Sequence, residues 1–190
     1  MNQKLKNVIF ILLLGSISTT LLSGVRNYTA PKIKRYKEVR LRSTILRAAG
    51  VEHDKENVDE AFLNNIRTVE KGGFAYYLSP KGLYIFEFEG RGLWGMIEGT
   101  ITLNPDLKTI ENLDIISQEE TPGLGGRISE KSFLDQFRKK IVSPKLFLAV
   151  RKKAAKDNEV DSITGASMTS QALVDMINKA VEDFRGRAGE

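Results

Sequence analysis

Hydrophobic and polar positions along this chain follow different periods in different stretches, and each period implies a different element. From Val8 to Val25 the run "VIFILLLGSISTTLLSGV" carries no charge for eighteen residues after Lys4 and Lys6. As a helix rising ~1.5 Å per residue it covers ~27 Å, enough to span a bilayer. Its most apolar part, Val8 to Leu14, is short, which is also how a cleaved signal peptide reads. No small-x-small cleavage site stands out, so an uncleaved anchor is favoured. "EVRLRSTILRAAG" sets Val39, Leu41, Ile45, Leu46 and Ala49 near one face and stops at Gly50, predicting a helix with a glycine terminator. "NVDEAFLNNIRTV" repeats the pattern with Val58, Ala61, Phe62, Ile66 and Val69, with Asn57 as candidate N-cap.

The period then changes. "FAYYL", "GLYIFEFEG", "LWGMIEGTITLN" and "KTIENLDIIS" are rich in aromatic and β-branched residues and separated by "SPKG", "GRG" and "NPD". They predict a meander of about four antiparallel strands. "SEKSFLDQFRKKI" reads as a further helix capped by Ser129 or Ser132, and "KLFLAV" as a further strand. From Met168 onward Ala172, Leu173, Met176, Ile177, Ala180, Val181 and Phe184 recur at helical spacing, so a last helix begins near Ser167. The sum is an α+β fold: one N-terminal transmembrane helix, then a domain whose antiparallel sheet is flanked by helices. The expected organisation is a short basic N-terminus at 1–7, a transmembrane helix at 8–25, a basic juxtamembrane linker at 26–37 and a globular domain at 38–190.

Composition changes the picture in two places. The 190 residues contain no cysteine and one histidine, His53. That excludes disulfides, iron–sulfur clusters, thiolate zinc sites, Cys-linked haem and catalytic arrangements needing several histidines. The net charge of +5 is local: eight Lys or Arg residues lie between Arg26 and Arg47 against Glu38 alone. Beside a membrane helix such a cluster suits lipid headgroups, and without an interleaved aromatic and basic surface nucleic acid is not expected. By the positive-inside rule the same cluster would hold the domain in the cytoplasm.

Two segments exceed structural need. "TGAS", from Thr164 to Ser167, offers hydroxyls, a glycine and the free amides of a helix start, which together suit a phosphate. Locally, a plain N-cap is the commoner use of such residues. "QEETPGLGGRI", from Gln118 to Ile128, ends a strand-like run in two carboxylates, a proline and three glycines before Arg127. Glycines there would let backbone lie flat against a planar ligand, although an ordinary turn reads the same way. Glu119 and Glu120 should point to opposite sides of an extended chain, which argues against a paired acid/base.

Together, an Asp-x-x-(Ser/Thr)-Gly-Ala-(Ser/Thr) stretch, a Glu-Thr-Pro-Gly-Leu-Gly loop ~40 residues earlier and one N-terminal membrane helix resemble the FMN-binding domain family with phosphoester-linked flavin. "GRGLWG" and "ETPGLGGRI" are most similar to the C subunits of Na+-translocating NADH:quinone oxidoreductases, and next to the G subunits of Rnf electron-transport complexes. The resemblance implies one covalent FMN on the last hydroxyl of the motif, here Ser167, transferred from FAD by a separate flavin transferase. Family members usually carry threonine there. Asp161, Thr164, Gly165 and Ala166 complete the motif, and Thr169 is a nearby hydroxyl that could meet the phosphate. Glu120, Thr121, Pro122, Gly123, Leu124 and Gly125 would lie near the flavin. Leu93, Trp94, Tyr76 and Tyr77 could line its ring, though aromatics in strands more often belong to the core. The implied protein is an electron carrier within a larger assembly, not a complete enzyme. It would be anchored by one helix in the cytoplasmic membrane with the flavin domain outside, among other membrane subunits and lipid. A stand-alone membrane-tethered flavoprotein is the alternative.

Overall fold

The structure is a computed structural model and describes residues 2–188. Its internal contacts divide between Arg40 and Leu41, and the two units are taken in turn.

The first unit is the greater part of α1, a helix running Gln3–Ala49. It is the one helix among the described residues long and apolar enough to cross a membrane. Thr19 and Thr20 satisfy their hydroxyls on the carbonyls of Gly15 and Ser16, each one turn back, so they interrupt the apolar run without an unpaired donor. The expected linker at 26–37 is helical throughout, with Pro31 inside it. A proline removes one backbone donor and crowds the carbonyl four residues back, yet the helix continues through it.

The second unit begins with the last turns of α1, where Thr44, Ile45, Leu46 and Ala49 are buried. Gly50, at φ +70, ends the helix. The Val51 amide donates to the Leu46 carbonyl and the Gly50 amide to that of Arg47, a full Schellman stop. α2 spans Val58–Asn65. Asn57 does not cap it with its side chain; Asn57 Oδ1 instead accepts from the Asp54 amide. Nor does α2 reach Val69, because Ile66 turns extended and Val69 falls in β1, Arg67–Lys71.

That strand makes the sheet five-stranded, not four. β1 pairs with β2, Phe74–Leu78, through Gly72 and Gly73, both at positive φ. β3 (Tyr84–Arg91), β4 (Met96–Leu103) and β5 (Ile110–Gln118) follow in sequential antiparallel order. One face carries Phe86, Phe88, Ile97, Ile101, Leu103, Ile110 and Leu113, all in the main core. On the opposite face Tyr77 meets Phe62 of α2 edge-on at 5.8 Å.

After β5 the chain shortens its elements: a 3-10 turn at Gly125–Ser129, α3 at Lys131–Leu134 and a second 3-10 turn at Asp135–Phe137. The expected helix over "SEKSFLDQFRKKI" is thus a single turn, preceded by Glu130 in the capping position in place of Ser129 or Ser132. β6 (Phe147–Ala149) does form, paired in parallel with β7 (Glu159–Asp161). α4, Ser167–Ala188, closes the domain and buries Leu173, Val174, Ile177, Val181 and Phe184 against the main core. Each such side chain contributes ~1.5–3 kcal/mol of burial. Phe184 stacks on Phe86 at 4.5 Å and 15°, fixing helix to sheet.

Candidate functional site

Three segments remote in sequence converge at the start of α4. β7 ends at Asp161, and the chain turns through Ile163, Thr164, Gly165 and Ala166, closed by the Ala166 amide donating to the Ile163 carbonyl. Gly165 sits at φ +83, which an L side chain would resist, so the glycine is required by the turn. Ser167 follows as the first helical residue.

The second segment leaves β5 as Thr121, Pro122, Gly123 and Leu124, another tight turn with proline then a positive-φ glycine at its centre. The Thr121 carbonyl accepts from the amides of both Leu124 and Gly126. Leu124 lies over the Gly165 turn, so the two motifs read from the sequence are in contact. The third segment is the tip between β3 and β4, Gly92 to Gly95, closed by the Gly92 amide donating to the Gly95 carbonyl. Its side chains Leu93 and Trp94 are exposed, Trp94 by 70%.

Glu120 joins all three. It is buried, while Glu119 is exposed, as their opposite orientation on an extended chain requires. Its Oε1 accepts from the amides of Trp94 at 2.9 Å and Gly95 at 3.3 Å, and its Oε2 from the Thr169 hydroxyl at 2.7 Å. Burial opposes its charge, but donation from Trp94, Thr169, Gly95 and Leu93 outweighs that and holds its carboxyl below the ordinary range.

The hydroxyls at this corner differ sharply. Thr169 is buried and donates to Glu120; Ser170 is buried, donates to the Ala166 carbonyl and accepts from the Ile163 amide. The Thr169 hydroxyl, a candidate phosphate contact from the sequence, is thus engaged within the protein by Glu120. Ser167 is half-buried, Thr164 is exposed, and neither hydroxyl has a hydrogen-bond partner among the described residues. The first three amides of α4 lack intrahelical acceptors, and its first turn contains no acidic side chain.

Asp161 is turned away. Its carboxylate accepts from the Ala154 amide and its own amide donates to Gln136, so it secures the 151–155 loop. Tyr76 and Tyr77 are also elsewhere: Tyr76 packs edge-on to Phe184 at 5.4 Å, and Tyr77 donates to Glu87 at 3.0 Å. His53 bridges Ser43 and the Val51 carbonyl and serves the end of α1. Sequence reading did not foresee the binding of Trp94 and Gly95 backbone by Glu120. A signal existed in the clustered glycines Gly92, Gly95 and Gly125, for which crowding around the two glutamates leaves no room for a β-carbon.

Comparison with known proteins gives the family. A model described as the FMN-binding domain matches residues 92–182, which contain all three converging segments. The chain is 30% identical over 170 residues to the G subunit of the proton-translocating ferredoxin:NAD(+) oxidoreductase complex of Clostridium ljungdahlii, an alignment that takes in 87% of this chain and 83% of the relative. It is 39% identical over 97 residues to the C subunit of the Na(+)-translocating NADH-quinone reductase of Neisseria meningitidis serogroup A, over 48% of this chain but 38% of that relative. Among solved structures it superposes on the C subunit of the Na(+)-translocating NADH-quinone reductase from Parabacteroides distasonis with a TM-score of 0.66 at 25% identity, over 80% of this chain and 93% of the other. By this likeness in sequence over most of its length, the chain belongs to the FMN-binding domain family.

Proposed function

We propose that this chain is a membrane-anchored electron-transfer subunit of an ion-translocating oxidoreductase, carrying one FMN joined through its phosphate to Ser167. The observation that carries the reading is the contrast among hydroxyls at the start of α4. Thr169 and Ser170 are buried and committed, whereas Ser167 stands on the first helical turn, partly exposed and without a partner among the described residues. A phosphodiester on that oxygen would lie at the positive end of a 22-residue helix, facing amides that have no other acceptor. The surroundings fit the rest of the group. Leu93, Trp94, Leu124 and Met168 are exposed apolar side chains near that corner, a surface that an isoalloxazine ring would cover.

FMN supplies the redox chemistry when bound; the chain supplies its placement and its electrostatic surroundings. Attachment from FAD forms a bond between Ser167 Oγ and the FMN phosphorus, releases AMP and passes the hydroxyl proton to the flavin transferase. Membrane tethering by α1 confines the flavin to the plane of the other subunits and raises its effective concentration there. The domain after α1 is proposed to face outside the cytoplasmic membrane, where the transferase acts, with the basic residues from Arg26 onward next to lipid headgroups.

A C subunit of the NADH:quinone reductase type remains the first reading of the complex. Coverage of the clostridial G subunit over 83% of its length favours an Rnf-type G subunit as the second. Production with a flavin transferase followed by denaturing electrophoresis tests the attachment: the wild-type band should fluoresce under ultraviolet light and the Ser167→Ala band should be dark. A fluorescent alanine variant would move the attachment elsewhere, first to Thr164.

A further inference from the structure

Glu120 has no cationic partner among the described residues; neutral donors hold it, the amides of Trp94 and Gly95 and the hydroxyl of Thr169. These donors belong to two elements that make no chain connection nearby, the β3–β4 tip and the first turn of α4. Thr169 lies 49 positions after Glu120. The packing is built around this carboxylate. A β-carbon at Gly125 would stand 2.6 Å from Glu120 Oε2 and 2.7 Å from Thr169 Oγ1, and at Gly92 it would collide with Glu120 Oε1. Gly92 and Gly125 thus make room for a buried anion.

A buried charge is tolerated only where its hydrogen bonds are complete, and here completing them requires both elements to be in place. We propose that Glu120 is a positioning residue of the flavin site: it ties the Leu93–Trp94 tip to the first turn of α4 and so sets the spacing between the Trp94 indole and the Ser167 hydroxyl. Its flavin meaning rests on the reading of Ser167 given above; the tether itself does not. A charge acting on the ring from a distance would be a different role. The two roles separate at Thr169, where Thr169→Val cuts the tether and leaves the carboxylate.

The test uses the full-length chain in detergent, made with and without a flavin transferase, as wild type, Glu120→Ala, Thr169→Val and Thr169→Ser. Trp94 is the sole tryptophan, so its fluorescence reports the tip alone. In flavin-free protein with unchanged far-ultraviolet circular dichroism, Glu120→Ala and Thr169→Val should lower the Trp94 anisotropy and raise its quenching by acrylamide. Thr169→Ser, which keeps the donor, should match wild type. In flavinylated protein the visible spectrum should shift in Thr169→Val and be restored in Thr169→Ser. Should Glu120→Ala fail to fold, Thr169→Val decides. Wild-type anisotropy and quenching in a folded Thr169→Val would overturn the proposal. Wild-type protein that gains no flavin would instead sink the Ser167 reading, with the Trp94 measurements still deciding the tether.

Discussion

Gly165 passes so close beneath Leu124 that a β-carbon on it would come within 3.3 Å of Leu124 Cδ2, at a backbone φ of +83. The turn that presents Ser167 and the loop after β5 are therefore fitted to each other through a residue that has no side chain. Gly165→Ala should cost ~1–2 kcal/mol from left-handed strain, lowering Tm by roughly 2–8 °C. Leu124→Ala in the same background should recover the contact but not the strain. Full recovery of Tm by Leu124→Ala would show that contact, not φ, is the constraint.

Stability should respond to acid through Glu120 in a definite direction. Its folded pKa lies below the ordinary 4.5, so its contribution is present above that value and is lost as pH falls through the depressed one. Glu120→Gln cannot titrate. The stability gap between wild type and Glu120→Gln, ~1.5–3 kcal/mol for hydrogen bonds to a charged group, should be widest at neutral pH and close progressively below pH 4.5. Glu87 and Asp114, both pushed up chiefly by desolvation, titrate in both proteins and cancel from the difference. A gap that stays constant down to pH 2 would mean that Glu120 is not held as the anion.

Trp94 predicts the place of the ring. Trp94 is exposed by 70%; in protein made without a flavin transferase it should emit as a solvated indole, and in flavinylated protein it should be both quenched and shielded from acrylamide. Unaltered accessibility after flavinylation would place the ring away from the β3–β4 tip.

Phe184 anchors α4 and with it the Ser167 turn. It is fully buried against Phe74, Tyr76, Tyr84 and Phe86. Phe184→Ala should cost ~3–5 kcal/mol, read as a lower denaturation midpoint in urea. A loss below ~1 kcal/mol would mean that the site collapses around the missing ring.

What could be read from sequence followed the strength of local signals. The end of α1 at Gly50, strands β2 to β5 and the start of α4 at Ser167 all carry periodicity or punctuation of their own. β1 was obscured because Ile66 and Val69 continue the helical spacing of α2, and its residues are almost all exposed, as suits an edge strand. Its turn glycines, Gly72 and Gly73, were the available sign. The helical state of 26–37 was hidden behind Pro31 and a charge cluster. In the site, the motif residues were legible as types but not as orientations. Whether Glu120 faces a ligand or the protein depends on a hydroxyl 49 positions away, and no local pattern encodes that. Thr169 and Asp161 turned inward for the same reason, each meeting a partner in another segment.

Membrane topology has its own test. Alkaline phosphatase fused after Gly50 should be active and green fluorescent protein fused there dark if the domain lies outside the cytoplasm. The reverse pattern would restore the orientation that the basic cluster implies.

The measurement that bears most directly on the account is the intact mass of the chain made together with a flavin transferase, followed by peptide mapping across Asp161–Ser170. Wild type and Ser167→Thr should each gain the mass of one FMN less one water, located on residue 167, and Ser167→Ala should gain nothing. An unmodified wild type, or an alanine variant that still carries the increment, would contradict it.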